Sequence, residues 1–183
     1  AVSGAGRQGI LDLENGLKGE PTKKFPYPII NNCLPHIDSF LDDGYTKEEY
    51  KIINETRKIL NKPYLPITAT AVRVPVKNCH CESINVELER DFDIFELKQL
   101  LQNSPGILVI DEPTKNYYPI PSKADGTDDV LVGRIRRDFS VRAGINLWVV
   151  ADNIRKGAAS NAVQILEKLL HWTPQNKSGH SQH

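Results

Sequence analysis

Methionine is absent from the 183 residues, cysteine occurs only three times, and aromatic residues make up 7%. The missing methionine and the opening Ala1-Val2-Ser3-Gly4 read as a chain entered midway, or as one whose initiator has been trimmed. The odd set Cys33, Cys79 and Cys81 is a poor disulfide framework and points to a reducing compartment. Net charge is lacking too: 23 basic residues balance 23 acidic ones and the pI is near 7.2. That gives no global electrostatic case for nucleic acid or an acidic membrane surface as partner. No run approaches the roughly 18 apolar residues of a membrane span. The stretch from Ala1 to Gly19 is polar and Gly-rich, unlike a signal peptide, so the two N-x-S/T sequons, at Asn54 and Asn176, read as chance. No G-x-G-x-x-G follows a strand and no P-loop occurs, so the chain is not expected to carry its own nucleotide-binding domain.

What is present is the composition of a globular domain, 39% hydrophobic and 25% charged, long enough to bury a core. The pattern predicts a helix over Arg7–Leu17, ended by Gly16 and Gly19, then an irregular connection punctuated by Pro21, Pro26, Pro28 and Pro35. Thr46 and Glu49 have capping-box spacing, with Tyr45 and Tyr50 in the staple positions. They open a helix to about Leu60 with Ile52, Ile53, Thr56, Ile59 and Leu60 on a buried stripe. Strands are expected at Ile67–Val76, Ser83–Glu89, Gly106–Ile110, Asp129–Asp138 and Ile145–Ala151, and a helix at Asp93–Gln102. A loop is expected over Asn116–Gly126. A last helix, Gly157–Leu170, places Ala158, Ala162, Ile165, Leu166 and Leu169 on one face, and Thr173–His183 is a polar tail. The expected fold is α+β: a largely antiparallel mixed sheet with helices on one face, and the other face covered by something else, such as a second copy.

Several residues invite chemistry. Arg73 interrupts the apolar run Ala71-Val72-Arg73-Val74, with small Ala69 and Ala71 on its face; it is either a carboxylate or phosphate fork or an arginine reaching solvent. His80, placed in the turn between two strands, is either a general base or a surface histidine. Glu55 and Lys58 lie side by side on their helix, which by itself describes a solvated pair worth about 0.3 kcal/mol. Arg134, Arg136 and Arg137 form a basic cluster without aromatic interleaving and read as interface or ion-pair residues. Cys79-His80-Cys81 crowds its donors too tightly for a zinc site, so no metal is expected. Neighbouring side chains on an extended segment point apart, so His80 is badly placed to activate either cysteine. Ser3-Gly4-Ala5-Gly6 and the Asn153–Gly157 turn each precede a helix N-terminus, weak anion-binding candidates.

Taken in order, Ser3-Gly4-Ala5-Gly6, Glu55-Thr56-Arg57-Lys58, Ala71-Val72-Arg73-Val74-Pro75-Val76 with His80 and Glu82-Ser83, Val132-Gly133-Arg134-Ile135-Arg136-Arg137-Asp138, and Asp152 through Ala159 closely resemble the C-terminal half of the aspartate-semialdehyde dehydrogenase family. The resemblance runs from Ala1 to about Leu170, so the expected organisation is a dimerisation domain over residues 1–172 and the tail over 173–183. It implies a domain like the C-terminal domain of glyceraldehyde-3-phosphate dehydrogenase. It also implies an enzyme that reduces L-4-aspartyl phosphate to L-aspartate 4-semialdehyde with NADPH and releases phosphate, in lysine, threonine, methionine and diaminopimelate synthesis.

By resemblance, His80 is the acid/base, Arg73 grips the substrate carboxylate, Glu55 meets the substrate ammonium and Lys58 lies near the phosphate. Ser3 and Gly4 match a cofactor-side loop, and Asn153 and Gly157 lie near the nicotinamide of NADP. The family's nucleophilic cysteine and Rossmann domain belong upstream of Ala1, and none of the three cysteines here matches that nucleophile. The resemblance therefore implies a small-molecule substrate, a homodimer, a cytoplasmic or plastid setting, and a chain inactive on its own. A non-catalytic self-associating module and the related N-acetylglutamyl-phosphate reductase are the alternatives, the latter giving a glutamate at position 55 less purpose.

Overall fold

The computed structural model describes residues 1–171, so the expected tail over 173–183 lies outside the described residues. The chain divides into two compact units, Ala1–Asn78 and Cys79–His183.

The first unit opens with a 3-10 turn, Val2–Ala5, that runs into helix α1, Gly6–Gly16. Gly4, Gly6 and Gly9 have dinucleotide-binding spacing, but they follow this turn rather than a strand. Gly9 serves packing instead: a Cβ there would collide with the Val2 carbonyl oxygen and lie 3.2 Å from Phe25 Cζ. Val2, Ile29 and Leu34 form a small core, with Ile10, Leu13 and Phe25 packed on it.

Helix α2, Lys47–Ile59, begins as the capping box requires. Glu49 N–H donates to Thr46 Oγ1 at 3.3 Å, Thr46 N–H donates to Glu49 Oε2 at 2.7 Å, and the Tyr45 and Tyr50 rings meet at 5.4 Å. The apolar stripe expected along α2 is corrected. Ile53 is buried, whereas Ile52 is 41%, Leu60 55% and Ile59 80% exposed.

The strand expected over Ile67–Val76 is also corrected. This segment is extended, yet it joins no sheet and makes one antiparallel bridge, between Arg73 and Leu34. Its hydrogen bonds go elsewhere: Ala71 N–H donates to Glu49 Oε1 and the Tyr45 hydroxyl meets Thr68 Oγ1, while just before the segment Arg57 Nε donates to Leu65 O. Farther on, Val2 N–H donates to Val76 O and Ser3 N–H to Lys77 O. Pro75 removes one of the donors a ladder would use, and Pro66 stands just before the segment.

The second unit is a four-stranded sheet in the order β1-β4-β3-β2. Strands β1 (His80–Glu87), β4 (Gly144–Ala151) and β3 (Val130–Asp138) pair antiparallel, and β2 (Ile107–Val109) lies parallel to β3. This is the largely antiparallel α+β sheet that the sequence led us to expect. Helix α3, Ile94–Gln102, is capped by Asp93, which accepts the N–H groups of Phe95 and Glu96. Its Leu97 and Leu101 pack with Val86 and Phe92 on Val132, Ile135 and Ile145. On the other face Ala124, from the one-turn helix α4 (Pro121–Ala124), joins Cys79, Ile110, Leu131 and Val150. That turn interrupts the loop expected over Asn116–Gly126.

A bulge between Gly133 and Arg136 shifts the β3–β4 register. There Arg134 takes φ 52° and donates its N–H to Asp111 Oδ1 at 2.7 Å, while Lys98 Nζ stands 2.7 Å from Asp111 Oδ2. The neighbouring Arg137 bonds Asp91 and the Phe92 carbonyl, an ion-pair residue as its cluster suggested.

The last helix is in two parts, a π-turn Arg155–Ala159 and then α5, Ser160–Leu170. Its apolar residues Val163, Ile165, Leu166 and Leu169 are all more than half exposed in this chain. No helix among the described residues is long and apolar enough to cross a membrane.

Candidate functional site

In the first unit Arg73 is only 8% exposed although it carries a charge. Its backbone is clamped by Leu34, N–H to O in both directions at 2.8 Å. Its Nη1 donates to Ala1 O at 2.6 Å, and its guanidinium carbon lies 5.4 Å from the centre of the Phe25 ring. A Cβ placed on Gly4 would lie 3.4 Å from Arg73 Nη1, so the Ser3–Gly4 loop and Arg73 are brought together. Burial pulls the Arg73 pKa down and Glu48 pulls it back up; an arginine remains a cation throughout the physiological range. The withdrawn guanidinium rules out the reading of Arg73 as an arginine simply reaching solvent.

Glu55 and Lys58 stand exposed on α2, one turn apart on one flank. Their relation to Arg73 is set by Glu49. One of its carboxylate oxygens caps α2 and the other holds Ala71 N–H at 2.9 Å, two residues before Arg73. These donors, Thr46 N–H first and Ala71 N–H second, keep the Glu49 carboxyl below its usual range despite burial. The second duty of Glu49 leaves no mark in local spacing; only the capping box is legible.

In the second unit His80 is the first residue of β1, paired opposite Ala151, and not a residue of the preceding turn as expected. The turn is made one residue earlier, where Cys79 takes φ 77°. Cys79 N–H donates to Asn153 Oδ1 at 2.8 Å, which ties the residue before His80 to Asn153. Asn153 is itself set by Asp152, 3% exposed, whose carboxylate accepts N–H groups from Gly126, Ile154 and Arg155 at 2.8–3.0 Å. Burial alone would raise the Asp152 pKa, but these donors outweigh it and hold it low. Gly157 follows in the π-turn, exposed, with its N–H on Asp152 O at 3.0 Å. The structure therefore brings His80, Asn153 and Gly157 into one corner of the second unit, and Asp152 is the organising residue to which the sequence reading gave no role.

Burial, reinforced by Asp152 and Asp125, pushes the Cys79 thiol up to about 11, and burial also raises Cys81. Both are thiols near neutral pH, unsuited to nucleophilic attack. Among the described residues no group of three His, Cys, Asp or Glu is placed to hold a metal ion.

Residues 1–156 match the model of the semialdehyde dehydrogenase dimerisation domain. The aspartate-semialdehyde dehydrogenase of Aquifex aeolicus is 51% identical over 177 residues, covering 93% of this chain and 52% of the relative. A crystal structure of aspartate semialdehyde dehydrogenase II from Vibrio cholerae, complexed with ASA, superposes with a TM-score of 0.86 at 45% identity, covering 94% of this chain and 53% of that one. The Candida albicans enzyme with NADP is more distant: TM-score 0.59 and 27% identity, covering 78% of this chain and 45% of that one. The chain spans about half the length of the relatives it matches. With a family match over residues 1–156 and a relative 51% identical across 93% of its length, the chain belongs to the semialdehyde dehydrogenase dimerisation-domain family.

Proposed function

We propose that the chain is the substrate-binding and dimerisation half of an aspartate-semialdehyde dehydrogenase, converting L-4-aspartyl phosphate, NADPH and a proton to L-aspartate 4-semialdehyde, phosphate and NADP. The setting of Arg73 carries this reading: a nearly buried guanidinium, fixed through its backbone by Leu34 and through Ala71 by Glu49. A cation taken out of water at that cost is suited to an anionic ligand, and the arginine fork suits a carboxylate.

In this reading Arg73 takes the substrate α-carboxylate, Glu55 the ammonium, and Lys58 the departing phosphate. Together these groups orient the substrate, and orientation is worth several orders of magnitude in rate. His80 acts as acid/base, giving and receiving the proton at the reacting carbonyl oxygen. Cys79 and Cys81, kept as thiols by burial, take no part. The reading assigns the nucleophile to the half of the relatives' length that this chain does not span.

The residues present fit the nicotinamide end of NADPH. Gly4 and Gly157 are exposed, and a methyl group on either would meet nothing closer than 3.4 Å and 3.8 Å. A flat ring can approach such backbone closely. NADPH supplies the hydride when bound. In this reading Asn153 and Gly157 would lie near the nicotinamide, and Ser3 and Gly4 belong to a cofactor-side loop.

The test is a calorimetric titration of the 183-residue chain with L-aspartate 4-semialdehyde, alongside light-scattering mass. The reading expects binding by a dimer near twice 20.5 kDa, at least tenfold weaker binding by Arg73→Ala, and no turnover without another polypeptide. Equal binding by wild type and Arg73→Ala overturns it, as does equally tight binding of an N-acetylated analogue.

A further inference from the structure

Arg73 owes its place to more than its own strand-like segment. Asp12, on α1, has no exposed surface, and its carboxylate accepts five hydrogen bonds. Lys23 N–H lies 3.1 Å from both oxygens; Lys24 N–H is at 2.7 Å and Phe25 N–H at 3.2 Å from Oδ2; and Gln8 Nε2 is 3.1 Å from Oδ1. Three successive backbone donors thus converge on one buried carboxylate. Burial would raise its pKa, but these donors hold it low, so the carboxylate stays an anion and the loop stays wrapped around it. Thr22 Oγ1 closes the same loop on Phe25 O at 3.3 Å.

The product of this arrangement is the position of the Phe25 ring. It packs on the Val2–Ile29–Leu34 core and against α1 at Gly9, and it presents itself to the Arg73 guanidinium at 5.4 Å. An aromatic ring attracts the cation without offering a hydrogen-bond acceptor. A carboxylate in its place would occupy the N–H fork that a ligand must use. Nη1 already gives one N–H to Ala1 O at 2.6 Å; the ring restrains the cation further and leaves the remaining N–H donors to the ligand.

We infer that Phe25 is a positioning residue for Arg73: seated by Asp12, it holds the guanidinium in the orientation that accepts the α-carboxylate of the substrate. The inference rests on the reading of Arg73 given above. It assigns the Pro-rich connection between α1 and α2 a part in substrate selection, through a ring that acts by way of the arginine.

The readout is carboxylate selectivity, the ratio of affinities for L-aspartate 4-semialdehyde and for 3-aminopropanal, which lacks the α-carboxylate. Phe25→Leu, which keeps the apolar bulk and loses the ring, is expected to lower the ratio about fivefold, the value of one partly desolvated cation–π contact. Phe25→Met, another apolar side chain without a ring, is expected to lower it alike. A purely structural role for Phe25 would weaken both ligands alike or lower only the melting temperature. A Leu or Met variant with the wild-type ratio overturns the inference. An Arg73→Ala variant that keeps the wild-type ratio, or a wild type that binds neither ligand, overturns the reading of Arg73 itself and this inference with it.

Discussion

Glu49 Oε1 accepts the backbone N–H of Ala71 at 2.9 Å while Oε2 caps α2 through Thr46 N–H at 2.7 Å. One carboxylate therefore begins the helix that carries Glu55 and Lys58 and anchors the segment that carries Arg73. Glu49→Ala removes half a capping box and leaves the buried Ala71 N–H without its acceptor. The cap is worth about 1 kcal/mol and the orphaned donor about 1–3 kcal/mol. Denaturant melts should show a loss of about 2–4 kcal/mol; a loss under 0.5 kcal/mol would contradict the anchoring role.

The same carboxylate sets a pH dependence. Its donors depress the folded-state pKa below the ordinary 4.5, so the unfolded chain binds this proton more tightly. The stabilisation is complete above about pH 4.5 and is lost as the pH falls through the lowered folded value. A comparison of wild type with Glu49→Gln between pH 7 and 3 should show the wild-type advantage shrinking in that window. An advantage that grows on acidification would mean the sign is wrong.

Much of this region was legible in sequence and some was not, for physical reasons. The capping box was visible because its two residues are three apart and interact locally. The Ile67–Val76 strand was read from alternation, which reports an extended backbone and half-burial but not where the hydrogen bonds go; here they go to Glu49, Tyr45 and isolated carbonyls. Likewise the apolar residues of α2 and α5 have helical spacing and form helices, yet spacing alone does not supply a covering partner within this chain. The bulge at Arg134 and the start of β1 at His80 depend on Asp111 and Ala151, distant in sequence, and have no local signature. The proposed site residues come from ordered resemblance; the residues that seat them, Glu49, Asp12 and Asp152, are buried acids whose roles appear only with their backbone donors in place.

Thiol chemistry gives a second check. Cys33 is exposed, Cys81 half-buried and Cys79 buried, with the Cys79 thiol near 11. Limited iodoacetamide treatment at pH 7.5 should label Cys33 first and leave Cys79 unmodified until the chain unfolds. Because folding raises this pKa from about 9, the linked stabilisation is full below pH 9 and is lost as the pH climbs toward 11. Peptide mapping that finds Cys79 labelled first would refute this placement.

The turn that carries Asn153 and Gly157 is braced by a two-pronged pair. Arg155 Nε and Nη2 donate to Asp128 Oδ1 and Oδ2 at 2.9 Å and 2.7 Å. Hydrogen bonds from Arg155 and then Ser160 hold the Asp128 carboxyl at about 2. A carbon-detected NMR titration should find Asp128 ionised down to that value, and Arg155→Gln should return it toward 3.8. Titration near 3.8 in the wild type would mean that the pair does not form in solution.

Two glycines separate packing from function. A Cβ on Gly133 would run into the Ile110 carbonyl oxygen and come within 2.5 Å of Pro119 Cδ. The first of these is backbone, held by the Ile110 N–H bond to Val132 O at 2.8 Å, so neither strand can give way without breaking the sheet beside the bulge. Gly133→Ala should therefore cost about 3 kcal/mol or more, or prevent folding. At Gly157 the nearest atom to an added Cβ is Asn153 Cβ at 3.8 Å, an ordinary contact, and the residue lies in a helical turn. Gly157→Ala should leave the melting temperature unchanged or slightly raised, since alanine is the better helix former by about 1 kcal/mol. If nicotinamide approaches there, the same methyl group should weaken NADPH in a complete enzyme while sparing the fold. A Gly157→Ala protein that is both stable and unchanged in NADPH affinity would remove Gly157 from the cofactor side.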